Sequence, residues 1–232
     1  MTTFGLVHGA WHGAWCWELL VPELEGRGHR AVAVDLPGDD PAAGCAEYAT
    51  VVCDRLRAED GDVVLVGHSL GGLTIPLVAA ERPVQALVFL CALIPVPGVG
   101  IGDQLREDPT IFRPGFGAST RRDDADRSFW PDADAAIATL YADCPRPLAE
   151  SAVARLRPQG RRPSAEVSPL VAWPDVPSVS VLCRDDAAID PAWSRRAARE
   201  RLGADALELD GHHSPFVSRP AELADLLVAV TA

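Results

Sequence analysis

The chain has 232 residues, 48% of them hydrophobic and 23% charged, which is typical of a soluble globular protein of one domain and excludes a mainly disordered chain. Its formal net charge is −12, and because such a surface repels nucleic acid and anionic membranes, we expect neither as a partner. The apolar runs are too short to span a bilayer, and the lack of lysine excludes Schiff-base chemistry on that residue.

Six cysteines are spread along the chain, and none belongs to a Cys-x-x-Cys pair of the kind that binds zinc or exchanges disulfides. They are Cys16, Cys45, Cys53, Cys91, Cys144 and Cys183. The first residues have neither the basic region nor the apolar core of a signal peptide, so we expect reduced thiols in a cytoplasmic protein. All the basic residues are arginine. Alanine, aspartate and proline are also abundant, and this composition favours a GC-rich bacterial genome.

Short apolar runs alternate with amphipathic stretches along most of the chain. The runs predict strands over residues 4–7, 31–34, 62–66, 84–90, 178–183 and 206–209. The stretches predict helices over residues 17–27, 46–58, 71–82, 191–202 and 220–230. This alternation is the pattern of βαβ units, and strands that are apolar throughout indicate helices on both faces. The sequence therefore predicts an α/β fold with a six-stranded, mainly parallel sheet.

Residues 94–175 break this alternation. They contain many prolines, a charged run at 121–127 and two helical patterns at 132–141 and 148–156. The alternative of a disordered loop conflicts with five aromatic residues, since disordered segments are poor in them. These aromatics are Phe112, Phe116, Phe129, Trp130 and Tyr141. We expect an inserted helical cap over a core made of residues 1–93 and 176–232.

The run Gly67-His-Ser-Leu-Gly71 matches Gly-x-Ser-x-Gly, the pattern of a nucleophile elbow. The bare pattern is only moderately specific, since about one protein of this length in ten matches it by chance. Its context strengthens it, because it follows a predicted strand and precedes a predicted helix. We therefore predict that Ser69 is a nucleophile; the alternative is a serine that caps the helix.

Two adjacent histidines, His212 and His213, follow the last predicted strand and are candidates for the base that a serine nucleophile needs. Sites in open parallel sheets form at the carboxyl ends of strands, and a late histidine fits the chain order serine, acid, histidine. We prefer His213, against the alternative of a turn with exposed imidazoles. His68 holds the variable position of the elbow and is expected to point away from the reaction.

The base in turn needs a carboxylate to orient it, and three aspartates follow the predicted strand at 178–183. Asp186 is the preferred acid, Asp185 is second and Asp190 is third. Asp190 directly precedes a proline and is better placed to cap the following helix.

An oxyanion hole requires two N–H donors near the nucleophile. One donor is expected to be the backbone N–H of Leu70, the residue after the serine. The other is expected from the loop after the first strand, where Ala10 N–H is the candidate. Gly9 would let this backbone approach the substrate, and His8 would shape the loop.

These motifs together resemble the α/β-hydrolase fold, and more narrowly the branch that holds plant methyl esterases, hydroxynitrile lyases and related bacterial esterases. The resemblance rests on Val-His-Gly-Ala-Trp-His-Gly-Ala-Trp at 7–15, the elbow, Asp186, and His-Ser-Pro-Phe at 213–216. It covers residues 3–95 and 176–230 and is weaker through the cap. It implies that Ser69, Asp186 and His213 form a catalytic triad, with Ala10 and Leu70 at the oxyanion positions.

The resemblance implies a serine esterase that needs neither metal nor cofactor; thioesters and lactones use the same machinery. Hydroxynitrile lyases of this branch carry threonine where this chain has Gly9 and lysine where it has Ser214. The chain therefore lacks the side chains on which the lyase reaction depends. Dehalogenases and epoxide hydrolases have aspartate in place of Ser69. The remaining alternative is a receptor on the same fold that binds small molecules without turnover.

The expected partner is a small-molecule ester, and a homodimer is compatible with the sequence. Its binding is assigned to aromatic side chains, namely Trp11, Phe112, Phe116, Trp130 and Tyr141. The alternative is that the aromatics of the cap fill its own small core. An acidic cap is expected to disfavour strongly anionic substrates.

Overall fold

The structure, a computed structural model, describes residues 1–59 and 61–230. Its strands are β1 (Thr3–Val7), β2 (Arg30–Val34), β3 (Val63–His68), β4 (Ala86–Leu90), β5 (Arg121–Arg122), β6 (Ser128–Phe129), β7 (Ser178–Cys183) and β8 (Leu207–Leu209). Its α-helices are α1 (Leu20–Gly26), α2 (Cys45–Arg55), α3 (Ile75–Glu81), α4 (Ile101–Glu107), α5 (Ala133–Leu140), α6 (Arg146–Val153), α7 (Arg162–Ala165), α8 (Pro191–Ala197), α9 (Pro215–Ser218) and α10 (Pro220–Val230). Short 3-10 helices span Ala14–Trp17 and Ser69–Leu73, and a π-helical turn over Ala198–Leu202 extends α8.

The six strands predicted for the main sheet are all present. Two predicted helices differ, because the helix expected from residue 17 becomes α1 after a 3-10 turn, and the helix expected from residue 71 becomes α3 after another. Pro22 and Pro76 account for both late starts. A proline has no N–H to donate and is tolerated only in the first turn of an α-helix, so each helix begins just before its proline.

The six long strands form one sheet in the order β2-β1-β3-β4-β7-β8, and every neighbouring pair is parallel. The chain runs outward from β1 to β2 and then crosses to the other side of β1 to form β3. The carboxyl ends of β1 and β3 therefore lie at the point where the strand order reverses, and Val7 pairs with Gly67 there. Open α/β sheets bind ligands at this kind of switch point.

Helices cover both faces of the sheet, and each face has its own apolar core. On one face, Phe4 and Leu6 of β1 pack with residues of α1 and α10. On the other face, Val7 and Leu65 pack with residues of α2, α3 and α8. Burial on both faces is the reason that the strands are apolar throughout rather than alternating.

The segment of residues 94–175 contains α4, α5, α6, α7 and a short antiparallel hairpin formed by β5 and β6. The two helical patterns predicted there correspond to α5 and α6, each shifted by one to three residues. The charged run at 121–127 forms the hairpin's first strand and its turn. The hairpin is tied to the following chain by reciprocal backbone hydrogen bonds of 2.8 Å between Ser128 and Gln159.

The six cysteines are free thiols, and four of them are buried. Among the residues that the structure describes, no helix combines the length and the apolar composition that a membrane span requires.

Candidate active site

Ser69 lies on a sharp turn between β3 and the 3-10 helix that follows it. Its φ angle is 51°, in the left-handed region that residues with a side chain seldom adopt. Such strain persists only where the surroundings impose it, and it is common at functional sites. The strand–turn–helix context expected of a nucleophile elbow is therefore present.

Glycines next to Ser69 make this turn sterically feasible. A Cβ at Gly71 would lie 2.7 Å from the carbonyl oxygen of Val7, and one at Gly67 would lie 2.9 Å from the carbonyl oxygen of Gly71. A Cβ at Gly72 would overlap the carbonyl oxygen of Leu93. At each of these glycines a neighbouring carbonyl oxygen lies so close that a side chain would distort the turn.

His213 and Asp186 form a buried hydrogen-bonded pair next to the elbow. Nδ1 of His213 lies 3.0 Å from each carboxylate oxygen of Asp186, and the two side chains are 2% and 3% exposed. The backbone N–H groups of Ala188 and Ile189 also donate to Asp186, at 2.8 and 3.1 Å. Donation from Nδ1 leaves Nε2 of the imidazole to exchange a proton with a nucleophile.

The neighbouring candidates for acid and base lie elsewhere. Asp185 is exposed, and Asp190 caps α8 by accepting from the N–H groups of Ala192 and Trp193, as the sequence predicts. His212 is half-buried, and its backbone N–H donates to Asp143 rather than to a residue of the elbow. Asp186 is thus the aspartate of the three that contacts His213.

His68 links the elbow to the loop that carries His213. Its Nε2 donates to the carbonyl oxygen of His213 at 3.0 Å, and the two rings are 4.7 Å apart between centroids. Burial holds the pKa of His68 well below 6.5, so the ring stays neutral at ordinary pH. Its role here is to support the backbone of His213, which the sequence pattern alone did not reveal.

The loop after β1 lies against the elbow, as expected of an oxyanion loop. A Cβ at Gly9 would lie only 2.7 Å from Cβ of Ser69, so Gly9 provides the room for this approach. Ala10 and Leu70 line the same cavity as Ser69. The two predicted oxyanion donors therefore belong to residues on one wall of one cavity.

His8 fixes the peptide that carries the first of these donors. Its Nδ1 donates to the carbonyl oxygen of Gly9 at 2.9 Å, while its Nε2 accepts from the N–H of Leu36 at 3.0 Å. The C=O and N–H of a trans peptide point in opposite directions, so this bond turns Ala10 N–H away from His8. Burial lowers the pKa of His8 to about 4, which keeps the ring neutral and preserves this arrangement.

His12 fixes the next peptide through a buried chain of two hydrogen bonds. Its Nδ1 donates to the carbonyl oxygen of Ala10 at 2.8 Å, and the hydroxyl of Tyr141 donates to its Nε2 at 2.6 Å. Burial lowers the pKa of His12 to about 3 and raises that of Tyr141, so both groups are neutral. A side chain from residues 94–175 thereby holds the loop next to Ser69.

Replacing Tyr141 by phenylalanine is expected to lower kcat about tenfold with KM nearly unchanged. The change removes the donor to His12 and loosens the loop, whereas loss of one whole oxyanion donor costs about a hundredfold or more. Steady-state kinetics on a chromogenic ester measures this. Thr50→Val is the control, because the hydroxyl of Thr50 bonds within α2 and does not line the cavity beside Ser69. Equal kcat values in Tyr141→Phe and the unaltered protein would contradict the assigned role.

A cavity of about 380 Å³ opens beside Ser69. Trp11, Phe112 and Phe116 line it, as predicted from the sequence, and the rings of Phe112 and Phe116 stack with 4.6 Å between centroids. The structure places Trp130 and Tyr141 elsewhere. Trp130 packs edge-on behind Trp11, and Tyr141 is fully buried against His12, so the prediction that these two form the pocket wall does not match their positions.

A larger depression of about 1090 Å³ lies on the surface between α2, α3 and residues 169–176. Its lining comes from the helix faces remote from the carboxyl ends of β1 and β3, and it lacks the elbow, the Asp186–His213 pair and the loop after β1. The smaller cavity is therefore the candidate active site.

Comparison with known proteins shows the family to which the chain belongs. The model of the alpha/beta hydrolase family matches residues 6–226, so the chain belongs to that family. It is 32% identical to a probable esterase, PIR7A, of Oryza sativa subsp. indica, over 99% of this chain and 96% of that protein. It is 44% identical to an alpha-hydroxynitrile lyase of Arabidopsis thaliana, but over only 40% of each chain. The crystal structure of a pyrethroid hydrolase from Sphingobium faniae JZ-2 shares the fold, with a TM-score of 0.80, 24% identity, and coverage of 99% and 97% of the two chains.

Proposed function

We propose that this protein is a serine hydrolase that cleaves carboxylic esters through an acyl-enzyme. One observation carries the proposal: the buried Asp186–His213 pair contacts His68 of the elbow, and the next residue, Ser69, has a strained backbone and lines a cavity. The extended similarity to a plant esterase supports it. Thioesters and lactones are within reach of the same groups.

In this mechanism Oγ of Ser69 attacks the ester carbonyl carbon while Nε2 of His213 takes its proton. Asp186 holds the imidazole and stabilises its cation. The backbone N–H groups of Ala10 and Leu70 stabilise the oxyanion that forms on the carbonyl oxygen. The ester C–O bond then breaks, and His213 returns the proton to the leaving alcohol. Water, deprotonated by His213, then attacks the acyl-enzyme; the bond between the acyl carbon and Oγ breaks, His213 returns the proton to Oγ, and the acid leaves.

Residues 94–175 serve in this proposal as a cap that forms the substrate pocket. Thirteen of the eighteen lining residues belong to this segment, among them Ile101, Leu105, Phe112, Phe116 and Thr120. A volume of about 380 Å³ suits a small organic molecule, and a mostly apolar wall with a few polar groups is usual for such sites. The partner is accordingly a small-molecule ester. The six free thiols favour the cytoplasm as its location, and the composition of the chain favours a bacterial source.

The lyase alternative is favoured by the local similarity to a hydroxynitrile lyase, but two residues oppose it. Gly9 stands where the lyases of this branch carry threonine, and a Cβ here would contact Ser69 at 2.7 Å. Ser214 stands where they carry lysine, and it is fully buried. The chain therefore has neither the hydroxyl nor the cation of the lyases at these positions.

A series of chromogenic esters with acyl chains of rising length tests the proposal. We expect steady turnover, with a maximum at the length that fills the cavity, because one methylene is worth about 1–3 kcal/mol in an apolar pocket. Parallel incubation with a cyanohydrin detects lyase activity. Tight binding of these esters without turnover would identify a receptor instead, and cyanide release without ester hydrolysis would identify a lyase.

A further inference from the structure

The charged side chains that line the cavity beside Ser69 are of one sign. Across the part of the chain that the structure describes, the lining includes Arg122 and Arg161 but no aspartate or glutamate. The whole chain has 33 acidic and 21 basic residues, so its composition favours acidic over basic residues at any charged position. The local charge at the cavity is therefore opposite to the net charge of the protein.

The two arginines share a single carboxylate. Arg122 Nη1 lies 3.0 Å from one oxygen of Asp126, and Arg161 Nη1 lies 3.5 Å from the other. Within this group of three side chains, the guanidinium groups outnumber the carboxylate by one. A guanidinium has five N–H donors, and both contacts with Asp126 engage only the Nη1 group. Further donors thus remain for an anion.

The cavity lining also has an apolar part. It includes Leu93, Ile101, Leu105, Phe112 and Phe116. Ser128, which pairs with Arg122 across the hairpin, and Gln159, which bonds to Ser128, add polar groups near the arginines. A ligand that satisfies both parts has an apolar section and a negatively charged end.

We propose that the substrate is an ester that carries a carboxylate at the end remote from the scissile carbonyl, with Arg122 and Arg161 recognising that carboxylate. This rests on the proposed esterase function and names its substrate class. Planar guanidinium groups match a carboxylate geometrically, and a charge-assisted hydrogen bond is stronger than a neutral one. Hydrolysis breaks the ester C–O bond, water supplies OH to the acyl group and H to the alcohol, and the remote carboxylate is unchanged. The position of the charges replaces the expectation, drawn from the acidic cap, that anionic substrates are disfavoured.

The test compares two methyl esters that differ only at the remote end, the methyl monoester of an aromatic dicarboxylic acid and the same ester with a carboxamide in place of the carboxylate. The protein should prefer the carboxylate about tenfold in kcat/KM, and the preference should shrink with added salt because both arginines are more than half exposed. The ratio should fall towards one in Arg161→Gln and in the double variant with Arg122→Gln. Arg121→Gln is the matched control, since Arg121 lies on the same strand, β5, and is exposed.

Two results would overturn the inference: a preference for the carboxamide or none at all, or a carboxylate preference that the double variant keeps. Hydrolysis of the carboxamide ester without any charge preference would leave the proposed esterase standing and refute only the substrate class. If the protein hydrolyses neither of the two compounds and none of the neutral chromogenic esters, the proposed function itself is refuted.

Discussion

Replacing Ser69 by alanine should lower kcat for ester hydrolysis by about a millionfold, the scale seen when a triad serine is removed elsewhere. The substitution removes the attacking oxygen and leaves the rest of the site in place, so substrate binding and thermal unfolding should change little. Steady-state kinetics with a chromogenic ester measures the loss. Ser151→Ala is the control, because Ser151 is exposed on α6. A Ser69→Ala variant with activity within tenfold of the unaltered protein would contradict the proposed mechanism.

Asp186→Asn should lower kcat by about ten-thousandfold, because an asparagine in this position favours the wrong imidazole tautomer. His213→Ala should be at least as damaging, since Ser69 then lacks its base. The experiment has matched controls one residue away, Asp185→Asn and His212→Ala. These should be mild, as Asp185 is exposed and Nδ1 of His212 has no hydrogen-bond partner among the described residues. If His212→Ala is the inactive variant, the base is assigned to the wrong histidine.

The elements could be predicted, and the candidate site residues could be proposed, because their signals are local. The elbow needs glycines at fixed spacing around Ser69, and the apolar strands and helical stretches are read over a few residues at a time. Asp186 and His213 are candidates because each lies within four residues of the end of a strand. These are the positions where the topology of a parallel sheet brings polar residues together.

The contacts between distant segments could not be predicted in the same way. The hydrogen bond between Tyr141 and His12 joins residues 129 positions apart, and no spacing rule connects them. An aromatic residue in an insertion can line a pocket, fill a core or support a loop, and composition does not distinguish these roles. Tyr141 supports the loop because its buried hydroxyl needed a partner, and the unprotonated nitrogen of His12 provides one. The charge of the cavity was missed for the same reason, since net charge does not say where Arg122 and Arg161 lie.

The central claim is that Ser69 becomes covalently acylated, and fluorophosphonate labelling followed by peptide mass spectrometry tests it most directly. We expect one phosphonyl group per chain, attached to the peptide that contains Ser69, and no labelling of the Ser69→Ala variant. Labelling of His213→Ala should be strongly slowed, because the serine is then poorly nucleophilic. Attachment of the label to a residue other than Ser69, or an unlabelled protein that still hydrolyses esters, would contradict the account.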